Sequence, residues 1–103
     1  FTERYKINGQ LIHRKPFADS VSIIKQAADE MAAQSEPLLA TMFEAATALA
    51  FRAFKDAGVE WAVIETGLGG RLDATNVIDE PLVCGIAGLG VDHHGIDAQS
   101  LRA

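Results

Sequence analysis

The stretch WAVIETGLGGRLDATN, residues 61–76, places a short apolar run directly before a loop rich in glycine and polar residues. Residues 61–65 show the nearly continuous hydrophobicity of a strand that is covered on both faces in a parallel sheet. A second run of this kind, LVCGIAGLGV at residues 82–91, is followed by Asp92, His93 and His94. The sequence therefore predicts two buried strands, each ending in a polar cluster.

Upstream of these strands, a first helix is predicted after Pro16, a residue that suits a first helical turn. Apolar residues recur there at steps of three and four, which places them on one helix face. These residues are Phe17, Val21, Ile24, Ala28 and Met31. The opposite, solvent-facing side carries Lys25, Asp29 and Glu30.

A second helix is predicted to end at Gly58, which can adopt the left-handed closing conformation. Its start is ambiguous between Ser35 and Thr41. Thr41 and Glu44 have the spacing of a capping box, in which each side chain satisfies a backbone donor of the first turn. This favours the later start and leaves residues 37–40 as a loop.

Nearer the N-terminus, Asn8 and Gly9 form the dipeptide that suits a two-residue hairpin turn. The order of hairpin, helices, strand, loop and strand predicts an α/β fold. We expect a mostly parallel sheet flanked by helices, with a short N-terminal hairpin, in a single domain over residues 1–103.

Composition narrows the classes of function. The 103 residues are 49% hydrophobic and 22% charged, the balance of a folded domain, and their net charge of -5 disfavours nucleic acid and anionic membranes as partners. The one cysteine, Cys84, cannot form an internal disulfide. No signal segment and no apolar run of about 18 residues is present. These features predict a cytoplasmic location.

Ligands of open α/β sheets collect beyond the carboxyl ends of the strands, where both polar clusters are predicted to lie. The glycine loop nevertheless matches neither standard phosphate-binding pattern. A dinucleotide fingerprint would need a third glycine where the chain has Leu72, and no Walker A string occurs in the chain.

Glu65 lies at the end of the first predicted strand and His93 at the end of the second. The two could together bind Mg²⁺, although histidine is an unusual ligand for that ion. The alternatives stay open at this point. Glu65 could instead form a cap or pair with Arg71, and His93 and His94 could be solvated loop residues. A zinc site is disfavoured because Cys84 lies within a predicted strand. The sequence also has no Cys-x-x-Cys or His-x-x-x-His spacing.

The twelve residues ETGLGGRLDATN resemble the signature of the folylpolyglutamate synthase and dihydrofolate synthase family, a branch of the Mur ligase superfamily. Three further segments resemble the family in the expected order. They are FTERYKINGQLI near the start, TMFEAATALAF at the second helix and GLGVDH at the end of the second strand. The resemblance covers about residues 1–94.

This resemblance implies an ATP-dependent ligase that joins glutamate to a carboxylate of a folate or pterin-containing acceptor through an acyl phosphate. It also implies Mg²⁺ as cofactor, with Glu65 and His93 as metal ligands. Metal ions neutralise phosphate charge in such transfers.

The family pattern further assigns substrate-binding roles to four residues, which would line the pterin pocket: Thr41, Phe43, Asp73 and Ala74. An aromatic ring can stack on the heterocycle and a carboxylate can accept its N–H bonds. Thr41 and Phe43 could instead be a helix cap and a core residue. Gly67, Gly69 and Gly70 would let the loop bend near ligand, or form an ordinary turn, while Arg71 could face phosphate or pair with Asp73.

By the same resemblance, the glycine-rich ATP loop would lie upstream of these residues and the amino-acid-binding domain downstream. The chain is thus predicted to be an incomplete central ATPase domain without ligase activity of its own, and prone to self-association through exposed strand edges. The alternative hypothesis is a non-catalytic α/β module that binds a ligand or a partner.

Overall fold

The computed structural model describes residues 2–88, which divide between two compact units, Phe1–Ala62 and Val63–Ala103. The first unit contains all the helices and strands found among the described residues. The second is described from Val63 to Gly88. That residues 1–103 form a single domain stays a prediction.

The N-terminal hairpin is present. Strand β1 (Lys6–Ile7) pairs antiparallel with strand β2 (Gln10–Leu11), with Lys6 opposite Leu11. Asn8 and Gly9 join the strands with φ values of 52° and 77°. Two successive positive φ values define the type I′ turn, which asparagine and glycine adopt at little steric cost.

Helix α1 (Arg14–Ala32) begins two residues before Pro16, so the proline lies in the first turn, where its missing N–H breaks no helical bond. Of the five predicted inward residues, four are partly buried, whereas Val21 is 37% exposed. Ser20, the residue before Val21, is buried instead. Its hydroxyl donates to the Pro16 carbonyl across 3.0 Å, which satisfies the buried polar atom.

Helix α2 (Met42–Asp56) confirms the later of the two predicted starts. At its C-terminus, Gly58 has a φ of 63°, and its N–H donates to the Lys55 carbonyl. The N–H of Val59 donates to the Phe54 carbonyl across 3.2 Å. These two bonds form a Schellman motif, which satisfies carbonyls that the helix end leaves without partners.

The small core of this unit forms where the hairpin and the two helices meet. Tyr5, which precedes β1, is only 8% exposed, and its ring lies 5.1 Å from that of Phe17 on α1. Its hydroxyl donates to the Ala46 carbonyl on α2 across 3.3 Å. Leu49 and Ala53 of α2 are also buried, and burial of a leucine side chain contributes about 2 kcal/mol. Tyr5 therefore ties three elements together.

The parallel sheet is not confirmed. Among residues 2–88 the only sheet is the two-stranded hairpin, and neither residues 61–65 nor the described part of residues 82–91 forms a strand. Val63 is 98% exposed and Ile86 is 88% exposed. A strand needs neighbouring backbone to bond its N–H and C=O groups, and nothing within the described range supplies it.

Candidate functional site

The glycine-rich loop folds as a series of tight turns. Gly69 and Gly70 have φ values of 70° and 111°. Residues that carry a Cβ rarely adopt such positive φ values. The Gly70 N–H donates to the Leu68 carbonyl across 2.8 Å, and the Asp73 N–H donates to the Gly70 carbonyl across 3.0 Å. The predicted tight bend is therefore found at Gly69 and Gly70, whereas Gly67 has no positive φ.

Asp73 holds this loop together with its carboxylate. Oδ2 accepts from the Leu68 N–H across 2.8 Å, and Oδ1 accepts from the Thr75 N–H and hydroxyl across 2.9 and 2.6 Å. Burial acts to raise the pKa of Asp73. The hydrogen bonds from Thr75, followed by those from the backbone of Leu68 and Gly67, outweigh burial and hold the pKa below its usual range. Asp73 is therefore a carboxylate at neutral pH.

Thr75 and Asn76 were not among the residues that the sequence singled out, yet both bond within the loop. Besides the contacts of Thr75 with Asp73, the Asn76 side-chain amide donates to the Arg71 carbonyl across 3.0 Å. The Asn76 N–H also donates to the Asp73 carbonyl across 2.9 Å. The available signal was the Asp-x-Thr spacing, since aspartate side chains often bond the backbone two residues on.

Glu65 differs from Asp73 although both are acids of the same loop. Glu65 is exposed and makes no hydrogen bond or ion pair with any of residues 2–88. Neither the predicted cap nor the predicted pair with Arg71 is found within that range. The carboxylate thus keeps its oxygens available for a hard cation, which prefers such ligands.

The second predicted metal ligand, His93, lies outside the described residues, as do Asp92 and His94. Within residues 2–88, no group of three or more histidine, cysteine, aspartate and glutamate side chains is placed to hold a metal ion. The pairing of Glu65 with His93 around Mg²⁺ therefore stays a prediction.

Thr41 and Phe43 lie together at the start of α2, in the first unit. The Thr41 hydroxyl accepts from the Glu44 N–H across 3.2 Å, while the Glu44 carboxylate accepts from the Thr41 N–H across 2.7 Å and from its hydroxyl across 2.8 Å. These bonds lower the pKa of Glu44, and the bond from the Thr41 backbone N–H has the largest effect. The capping box is thus confirmed, and Thr41 has a structural role.

Phe43 is not a core residue of its unit, because 49% of it is exposed. Its neighbours Leu39 and Met42 are 79% and 74% exposed. An exposed ring beside other apolar side chains can stack on a flat heterocycle.

The candidate residues thus fall into two groups. The glycine loop brings together Gly67, Gly69, Gly70, Arg71, Asp73 and Ala74 in the second unit. Thr41 and Phe43 belong to the first unit, so a pocket shared by both groups stays a prediction. Within the loop, Arg71 is exposed and Ala74 is partly buried.

No helix among the described residues is long and apolar enough to cross a membrane.

Comparison with known proteins gives matches among curated sequences. The chain is 41% identical over 99 residues to a folylpolyglutamate synthase of Arabidopsis thaliana, a match that covers 96% of this chain and 16% of the relative. It is 37% identical over 91 residues to the mitochondrial folylpolyglutamate synthase of Homo sapiens, covering 88% of this chain and 16% of the relative.

A probable dihydrofolate synthetase of Schizosaccharomyces pombe is 52% identical over 64 residues, covering 62% of this chain and 15% of the relative. The chain therefore spans about one sixth of the length of these curated relatives. No protein-family profile and no solved structure matches the chain.

Proposed function

The chain belongs to the folylpolyglutamate synthase and dihydrofolate synthase family, and from this premise we propose that it is part of an ATP-dependent ligase that adds glutamate to a folate or dihydropteroate carboxylate. In the proposed reaction the acceptor carboxylate attacks the γ-phosphorus of ATP and releases ADP. The amine of glutamate then displaces phosphate from the resulting acyl phosphate. Phosphorylation makes amide formation favourable.

The observation that carries this proposal is the contrast between two acids of one loop. Glu65 is exposed and makes no bond within residues 2–88, whereas Asp73 is ionised and fixed by Thr75 and Leu68. The proposed reaction gives each kind of carboxylate a task. One must have oxygens available for a metal ion, and one must present a fixed charge to the acceptor.

For the metal, we propose that Glu65 and His93 hold Mg²⁺. The exposed carboxylate of Glu65 suits this hard cation in charge and donor type. When bound, the ion would neutralise charge on the phosphates of ATP. The chain's own contribution is the position of Glu65, two residues before Gly67, where the turns of the glycine loop begin.

For the acceptor, we propose that Asp73 and Ala74 meet the pterin-like heterocycle from the loop, and that Phe43 stacks on it with Thr41 beside it. The exposure of Phe43 and the ionised state of Asp73 support these roles. Arg71, at the exposed side of the turns, is placed by this proposal toward phosphate.

In the intact gene product, we propose that residues 61–65 and 82–91 pair as strands of a parallel sheet of the Mur-ligase type. The support is the apolar character of both segments, combined with the high exposure of Trp61 and Val63 in the first and of Leu82, Val83 and Ile86 in the second, which neighbouring strands would remove. ATP would be bound mainly by segments outside these 103 residues, since no Walker A string occurs here. We also propose a cytoplasmic location, because the single cysteine, Cys84, cannot form an internal disulfide.

The test is an assay of the intact gene product with ATP, Mg²⁺, glutamate and either dihydropteroate or tetrahydrofolate. We expect mass spectrometry to show an acceptor heavier by one glutamyl residue, together with ADP. The purified 103-residue chain, assayed in parallel, is expected to form no product because it lacks a phosphate-binding loop of the standard pattern. No glutamyl product with either acceptor from the intact gene product would contradict the proposal.

A second candidate is a non-catalytic module that binds a ligand or partner. The exposure of Trp61 and Val63, at 76% and 98%, is the observation that favours it, because such surfaces often mark interaction sites. The same assay separates the two. A binding module would retain acceptor or partner affinity and yet release no ADP.

A further inference from the structure

Thr75 meets the Asp73 carboxylate with two donors at once. Its backbone N–H donates to Oδ1 across 2.9 Å, and its hydroxyl donates to the same oxygen across 2.6 Å. A carboxylate oxygen offers two lone pairs, so one residue uses the full capacity of Oδ1. Thr75 itself is partly buried.

The opposite oxygen is reached from the other end of the turns. Oδ2 accepts from the Leu68 N–H across 2.8 Å, and the backbone N–H of the preceding Gly67 also acts on this carboxylate. The carboxylate plane is therefore fixed between Leu68 and Thr75, on either side of Gly69 and Gly70. With Oδ1 filled, an incoming N–H group would approach the carboxylate at Oδ2.

We propose that Thr75 is a positioning residue for the acceptor: its hydroxyl orients the Asp73 carboxylate toward the N–H groups of a pterin-like heterocycle, without itself touching that heterocycle. This inference rests on the proposed function, because it takes Asp73 as the group that meets the acceptor. Without the hydroxyl, the carboxylate can rotate, and it presents Oδ2 in the binding orientation for a smaller fraction of the time.

Two substitutions separate the hydroxyl from the rest of the side chain. Thr75→Val removes the hydroxyl and keeps the branched shape and the backbone N–H. Thr75→Ser keeps the hydroxyl and removes the methyl group. In the intact gene product we expect Thr75→Val to raise the KM for the acceptor about five- to tenfold, the effect of losing one hydrogen bond to a charged group.

The KM values for ATP and glutamate should stay unchanged in Thr75→Val, and Thr75→Ser should restore the acceptor KM. A merely structural role of the hydroxyl would lower the melting temperature without this selective effect. A ¹³C NMR titration of the aspartate-labelled 103-residue chain gives a second readout. There, the pKa of Asp73 should rise in Thr75→Val and return in Thr75→Ser.

An acceptor KM that is unchanged in Thr75→Val, or raised equally in Thr75→Ser, would overturn this inference. Asp73→Ala is measured alongside to distinguish the two levels of the argument. If Asp73→Ala raises the acceptor KM and Thr75→Val does not, only the role of Thr75 fails. If Asp73→Ala leaves the acceptor KM unchanged, the proposed role of Asp73 fails and that of Thr75 with it.

Discussion

Two carboxylates eight residues apart are prepared for different tasks by their surroundings. Asp73 accepts three hydrogen bonds from Leu68 and Thr75, which favour its charged form and fix its direction. Glu65 has no such bonds among residues 2–88 and is exposed. The local backbone, rather than the residue type, thus separates a fixed hydrogen-bond acceptor from a carboxylate available to a cation.

Asp73 makes the loop sensitive to acid. Because its pKa is lower in the folded loop than in an unfolded chain, its stabilising effect is fully present above the unfolded pKa, about 3.9, and is lost as pH falls through the folded pKa. We expect the amide NMR signals of Leu68 and Thr75 to shift together with the Asp73 carboxyl signal as pH is lowered below about 4.

Asp73→Asn is the matched control for this titration, since it keeps the shape and one carbonyl oxygen but has no group to protonate. Its Leu68 and Thr75 amide signals should stay constant over the same pH range. Titration of these amides that persists in Asp73→Asn would show that another group controls the loop.

Glu65→Gln keeps size and most hydrogen-bonding capacity but removes the charge that a hard cation needs. In the intact gene product we expect turnover at limiting Mg²⁺ to fall at least about tenfold, with little change in melting temperature. Glu60→Gln removes an equal charge from another exposed position and should leave turnover unchanged. Near-normal turnover of Glu65→Gln, or an equal loss in both variants, would exclude the metal role.

At the scale of secondary structure, the start of α2 combines a structural and a proposed binding role. The Thr41 hydroxyl both accepts from and donates to Glu44, so its single proton is already used within the capping box. A ligand would therefore meet Thr41 at a remaining lone pair. Phe43, two residues further on, is half-exposed and is not part of the core.

Thr41→Ala should lower the free energy of unfolding of the chain by about 1 kcal/mol, the usual effect of removing an N-cap hydroxyl. Thr41→Ser should retain most of the stability. Thr47→Ala makes the same kind of change inside α2, where it removes no cap, and is expected to be neutral or mildly stabilising. Urea unfolding followed by circular dichroism measures all three, and equal effects at residues 41 and 47 would argue against the cap.

Elements with local causes were predictable from sequence. The Asn8–Gly9 turn, the capping box at Thr41 and the closing glycine at Gly58 each depend on residues within six positions of one another, and all three are confirmed. Residues 61–65 depend on neighbouring backbone that the described residues do not provide. A strand cannot satisfy its N–H and C=O groups alone. The apolar pattern of residues 61–65 therefore did not suffice to form a strand within the described residues.

The site divides in the same way. The turn at Gly69 and Gly70 followed from the glycines themselves, whereas the inward bonds of Asp73 to Leu68 and Thr75 depend on how the turn closes. The positions of Glu65 and His93 at predicted strand ends left a metal role open, and resemblance to the family assigned it. That role stays a prediction.

At the scale of the whole chain, the second unit exposes an unusual amount of apolar surface. Trp61, just before it, and Val63, Leu82, Val83 and Ile86 within it are each at least 76% exposed. Exposed apolar segments without strand partners tend to pair with other copies. We therefore expect the 103-residue chain to self-associate in analytical ultracentrifugation as its concentration rises.

Val63→Lys or Ile86→Lys should shift the chain toward monomer, because a charged side chain disfavours edge pairing. Leu39→Lys, which changes an apolar residue of the first unit that is 79% exposed, should leave the self-association unchanged. A strictly monomeric chain at all concentrations would contradict this prediction, as would an equal response to all three substitutions.

The proposed ligase chemistry leaves an atomic record. If the acceptor carboxylate attacks ATP, one of its oxygens must depart with the phosphate when glutamate forms the amide. The intact gene product should be supplied with an acceptor whose carboxylate carries ¹⁸O, and the phosphate released should be analysed by mass spectrometry. We predict one ¹⁸O in the phosphate for each glutamate added, and glutamyl product accompanied by unlabelled phosphate would contradict the acyl phosphate route.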